Sequence, residues 1–136
     1  MIAGLWTYRS YLNSSKLVDG DAQTALSLIF GEGVFTLTSP TPSSVAGTLD
    51  MGGGYVLDLQ GSLSVQDSQT HLAIAGVGRA NTPTAGWEYD YNCQTGFAWP
   101  NGVDQVPSIL GTVIRAKPHN GSPAGVVASF IAVRHS

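Results

Sequence analysis

The stretch Trp87-Glu88-Tyr89-Asp90-Tyr91-Asn92-Cys93 alternates aromatic with polar or acidic side chains and holds much of the chain's reactive chemistry. On a strand, successive side chains point to opposite faces. Trp87, Tyr89, Tyr91 and Cys93 therefore share one face, and Glu88, Asp90 and Asn92 share the other. Phenol hydroxyls polarise carbonyls and act as general acids, a role open to Tyr89 and to Tyr8. Glu88 and Asp90, enclosed together, would raise each other's pKa and form a candidate catalytic dyad. An unpaired buried carboxylate is costly, so the aromatic face is expected inside. The acidic face is then solvated, or paired with Arg79 or Arg115.

Other reactive types are sparse. Cys93 is the single cysteine, with no histidine near it in sequence, and reads as an ordinary buried thiol. His71, His119 and His135 are scattered without metal-ligand spacing, so no metal site is expected. The chain has no phosphate-binding glycine loop and no Gly-x-Ser-x-Gly elbow, so no cofactor is expected. Arg115 and Lys117 share a face near a strand end. They suit an anionic ligand at a cavity mouth, or are ordinary rim charges.

These groups need elements to position them. Val, Thr, Tyr and Ile are common, helix formers are few, and Gly, Pro, Asn and Ser punctuate at short intervals. The pattern predicts eight strands, at 5–12, 33–38, 45–50, 55–65, 71–79, 87–93, 109–117 and 125–134. Turn chemistry at Gly52-Gly53-Gly54 and Pro118-His119-Asn120-Gly121 separates some of them. Ala22, Ala25, Leu26 and Ile29 fall at helical spacing, predicting one short helix over Asp21–Phe30 between the first two strands. Asp21 is its N-cap and Gly31 its stop. The long connection Gln94–Ser108 carries Phe97 and Trp99, as a lid or a plug.

Eight short antiparallel strands suit a single domain, an all-β up-and-down β-barrel, because closure removes both sheet edges. A barrel of that size leaves room for one small ligand. Alternation sends Trp6, Tyr8, Ser10, Tyr55, Leu57 and Leu59 inward. The expected ligand-binding set is Trp6, Tyr8, Tyr55, Trp87, Tyr89, Tyr91, Trp99 and Arg115. Leu26, Ile29 and Phe30 of the helix would close one end. Strands five, seven and eight are apolar on both faces. A lone barrel exposing that much apolar surface would aggregate, so a homodimer or homotetramer through these strands is expected.

Gly4-Leu5-Trp6 at the start of the first strand resembles the Gly-x-Trp opening of calycin-type barrels, the lipocalins and avidins. Val45–Leu49 followed by Tyr55–Leu57 and Gly61–Leu63 is similar in rhythm to two avidin strands. The resemblance implies a Trp6 that closes one end, with a late arginine packed across it, Arg134 first and Arg115 second. It does not carry over biotin binding, because the avidin ligand set cannot be aligned.

Charged residues make up 11% of the 136, and the net charge is −3. That leaves no basic patch for nucleic acid. The sequence also holds no apolar run near the ~18 residues that cross a bilayer. The opening residues lack a secretory pattern, which points to a cytoplasmic protein. Function reads as binding of a small apolar or aromatic organic molecule inside the barrel. The alternative is a cofactor-independent isomerase, cyclase or lyase using the same cavity, and a third reading is a filled, purely structural barrel.

Overall fold

Period-two alternation and glycine-rich turns shape the computed structural model, which describes residues 2–13 and 20–135. The strands are β1 (Gly4–Leu12), β2 (Ile29–Thr38), β3 (Ser44–Asp50), β4 (Val56–Gln66), β5 (Gln69–Gly78), β6 (Glu88–Thr95), β7 (Ser108–Arg115) and β8 (Val127–Arg134), with one helix, α1 (Ala22–Leu26). Each strand pairs antiparallel with the next in sequence, and β8 returns to β1 to close the barrel. Trp6 faces Arg134, and Ser10 faces Phe130, across that seam.

A meander places alternate connections at opposite ends. The β1–β2, β3–β4, β5–β6 and β7–β8 connections form one rim. The N-terminal residues and the β2–β3, β4–β5 and β6–β7 connections form the other.

The interior follows the alternation. Tyr8, Phe35, Tyr91 and Phe130 meet in the middle, Tyr8 lying 4.8 Å from Phe35 and 5.3 Å from Phe130 between ring centroids. Gly76 makes room for this cluster. A Cβ there would come within 3.1 Å of the Tyr91 ring and 3.2 Å of Leu59. Below it, the Trp6 indole Nε1 donates to the Ile2 carbonyl at 2.9 Å. The Arg134 guanidinium lies 5.5 Å over the Trp6 ring and donates to the Ala3 carbonyl at 2.7 Å. This closes one end with a cation–π contact, and it is the packing expected of Trp6 and Arg134.

The helix is shorter than its spacing predicts. Asp21 does cap it, accepting from the Gln23 N–H at 3.1 Å. Ile29, Phe30 and Gly31 belong to β2 instead, because pairing with β1 overrides a helical period only a few residues long. Gly31 pairs with Ser10 and Ile29 with Tyr11, and the register shifts between them. Phe30 is left as the extra residue of a bulge, a device that re-aims a side chain.

On the outer wall, Leu110 of β7 faces Ile131 of β8, and Ile114 faces Val127. All four are exposed. Phe130 and Val113 are buried, which settles the faces of strands that are apolar on both sides.

Candidate functional site

The rim opposite Trp6 opens into a cavity of about 290 Å³. Leu49, Met51, Leu57 and Val113 form apolar wall, and Tyr8 and Tyr91 form the floor above Phe35 and Phe130. Phe30, from the β2 bulge, joins Tyr55, Trp87 and Tyr89 in the lining. That volume lies near the lower end of small-molecule pockets, roughly 300–1,000 Å³.

Local structure holds each mouth residue. Glycines 52, 53 and 54 have φ of 81°, 63° and 84°, a left-handed run that favours glycine. Their turn ends with the Tyr55 N–H donating to the Gly52 carbonyl at 3.0 Å. Tyr55 is 42% exposed, and its ring lies 5.7 Å from that of Trp87. Trp87 is anchored by Thr84, which is fully buried. The Thr84 hydroxyl donates to the Val56 carbonyl at 2.8 Å, and the Thr84 carbonyl accepts from the Trp87 N–H at 2.9 Å.

The β7–β8 connection brings in a histidine. Asn120 and Gly121 have φ of 48° and 76°, as a tight two-residue turn requires. The backbone of His119 pairs with that of Ser122 on either side of it. The His119 ring then stacks on Trp87, with centroids 4.1 Å apart and planes 14° from parallel. Its Nε2 lies 2.9 Å from the Tyr89 hydroxyl. Arg115 faces Tyr89 across the β6–β7 pair, and its Nε donates to the same hydroxyl at 3.2 Å. Arg115 Nη1 donates to the Pro123 carbonyl at 3.1 Å. Burial, and then the Arg115 charge, lower the His119 pKa, so the ring stays neutral at neutral pH.

The deeper groups are neutral acids. Burial pushes the Tyr8 phenol up to about 12 and the Cys93 thiol to about 12, and raises Tyr91 well above its ordinary value. Tyr8 and Tyr91 are thus hydroxyl donors at the cavity floor, and Cys93 is an inert thiol.

The structure brings together Tyr8, Tyr55, Trp87, Tyr89 and Tyr91 in the cavity lining, and sets Arg115 directly behind Tyr89. It does not bring in the others. Trp6 is part of the closed end. Trp99 is 68% exposed in the β6–β7 connection, on the rim away from the cavity, where its ring packs edge-on against Phe97. Neither aromatic serves as a lid or plug for this mouth. Glu88 and Asp90 point outward, as alternation requires, and form no enclosed dyad. Glu88 pairs with Lys117 at 3.4 Å rather than with Arg79 or Arg115, and Arg79 instead pairs with Asp58. Leu26 is exposed on α1 and closes nothing. Sequence reasoning missed His119 as a site residue, although its Asn-Gly turn marks a hairpin that folds back. Phe30 does stand at one end, as expected, but it reaches the mouth from the β2 bulge and not from the helix.

No protein-family model and no curated protein matches the chain. Among solved structures, a redesigned β-barrel superposes with a TM-score of 0.52, over 99% of this chain and 92% of its own, at 13% identity. That likeness shows the closed eight-stranded antiparallel barrel and bears on fold alone. Among the described residues, no helix is long and apolar enough to cross a membrane.

Proposed function

We propose that the open end of this barrel binds a small, largely apolar organic molecule carrying an oxygen acceptor. The observation that carries this reading is the cavity itself, whose apolar walls meet tyrosine hydroxyls at the floor and mouth. No carboxylate of the described residues lines it, which favours binding over acid–base chemistry by a dyad. Kinship with calycin barrels belongs to the same reading and is supported by the Trp6–Arg134 stack. So does a reducing, cytoplasmic setting, which suits a single buried cysteine. A second copy of the chain on the β7–β8 outer wall is the partner this reading expects.

A thermal-shift screen against small carbonyl and aromatic compounds tests the proposal. A ligand at 100 times its Kd adds about 2.7 kcal/mol of stability, a shift of several degrees. No shift from any compound would leave a filled, structural barrel. Cofactor-independent catalysis is the second reading, favoured by the Arg115–Tyr89–His119 network. Mass spectrometry on an incubated ligand separates the two, since conversion marks an enzyme and unchanged recovery a binder.

A further inference from the structure

Arg115 is only 8% exposed, and among the described residues it has no carboxylate partner. Its guanidinium lies between aromatic rings, 5.5 Å from the centroid of Phe30 and 5.8 Å from that of Tyr89. A buried charge without a counter-charge is costly and is rarely retained for stability alone. Among the described residues, the groups that face it offer no anion. Tyr89 of β6 is a phenol, and Phe30 of β2 is a hydrocarbon. His119 of the β7–β8 connection is a neutral imidazole, and Pro123 gives a carbonyl. The nearby carboxylate, Glu88, is on the outer face with Lys117.

The hydrogen bonds around Tyr89 show where the missing charge belongs. The Tyr89 oxygen accepts from Arg115 Nε. Its bond to His119 Nε2 runs in a direction set by the tautomer. His119 Nδ1 is buried without a hydrogen-bond partner. Were Tyr89 the donor, that Nδ1 would carry an orphaned N–H, which folded proteins strongly avoid. With the proton on Nε2, Nδ1 is only an unused acceptor, a cheaper state. Tyr89 then accepts from both neighbours, and its own proton is directed to the cavity that it lines. Two donors behind a phenol make it a stronger donor in front.

We infer that the cavity selects ligands with an acidic hydroxyl, phenols or enols, and holds them as oxyanions against the Tyr89 hydroxyl, with Arg115 supplying the balancing charge. This rests on the cavity being a binding site and names what it binds. Arg115 is a positioning residue here, acting on the ligand through Tyr89.

The probe is para-nitrophenol, which is yellow only as its anion, mixed with the full chain at a pH near the dye's own midpoint. Its uncharged near-isostere, para-nitrotoluene, is followed in parallel by quenching of tryptophan fluorescence. The expected result is a bound dye more ionised than the free dye, by about tenfold or more. In Arg115→Met the ratio of nitrophenolate to nitrotoluene affinity falls about tenfold, and Arg115→Lys recovers part of it. Should either variant fail to fold, the wild-type absorbance alone decides the question. Nitrotoluene binding with the dye bound as the neutral phenol would overturn the oxyanion proposal and leave the cavity reading intact. Binding of neither probe would overturn both.

Discussion

The Tyr89 hydroxyl and Arg115 Nε lie 3.2 Å apart as direct partners across β6 and β7, at the rim where the barrel opens. A guanidinium in that place serves a ligand's negative charge held at the Tyr89 hydroxyl rather than the fold. Replacing it by an apolar side chain of similar length should therefore leave stability nearly intact. Arg115→Met is expected to unfold in urea within about 1 kcal/mol of the wild type, or to be more stable. A loss of several kcal/mol would make Arg115 a structural residue.

Gly31 pairs with Ser10 and lines the cavity. A Cβ there would stand 3.3 Å from the Ser10 hydroxyl and 3.9 Å from the Tyr8 ring. Gly31→Val should fill the space, costing about 1–3 kcal/mol by overpacking. Ligand-induced thermal shifts should disappear with it, as calorimetry in the presence and absence of a binding compound would show. A preserved shift would move the site elsewhere.

Burial holds Tyr8 and Cys93 neutral, raising them from 10.0 and 9.0 to about 12, and Tyr91 shifts the same way. Above the unfolded pKa values the unfolded chain has released these protons while the barrel still holds them. Stability is therefore full below about 9 and falls as pH rises towards 12. Denaturant midpoints measured across that range should decline, and Tyr91→Phe should flatten the decline. A midpoint that rises with pH would contradict the sign.

The outer wall pairs Leu110 with Ile131 and Ile114 with Val127. Sedimentation of the wild type should show a dimer or tetramer, and Ile131→Glu should sediment as a folded monomer. Phe130→Glu is not a test of this surface. Phe130 is 4% exposed and faces the core, so a charge there should unfold the barrel at a cost of several kcal/mol. A monomeric wild type would refute the interface.

Alternation along β1 and β6 was enough to place Tyr8, Tyr89 and Tyr91 inside and Glu88 and Asp90 outside. It tells inside from outside but not one end from the other. For that reason the sequence alone groups Trp6 and Trp99 with the cavity. Strand direction in a meander puts the start of β1 and the β6–β7 connection together on the opposite rim. Phe30 was legible only as part of a helical period, because the β2 bulge depends on pairing with Tyr11 and Ser10, far off in sequence. His119 was legible as a turn residue, while its stack on Trp87 depends on how that turn folds over β6. The short elements and their order were plain from turn chemistry; the contacts between connections were not.

Binding at the Trp87 end is the central claim, and proton–nitrogen NMR of the indole N–H groups addresses it most directly. Trp87 lines the cavity, while Trp6 and Trp99 lie towards the opposite rim. Titration with a compound that stabilises the protein should shift the Trp87 signal and leave those of Trp6 and Trp99 in place. Shifts confined to Trp6 or Trp99 would contradict the account.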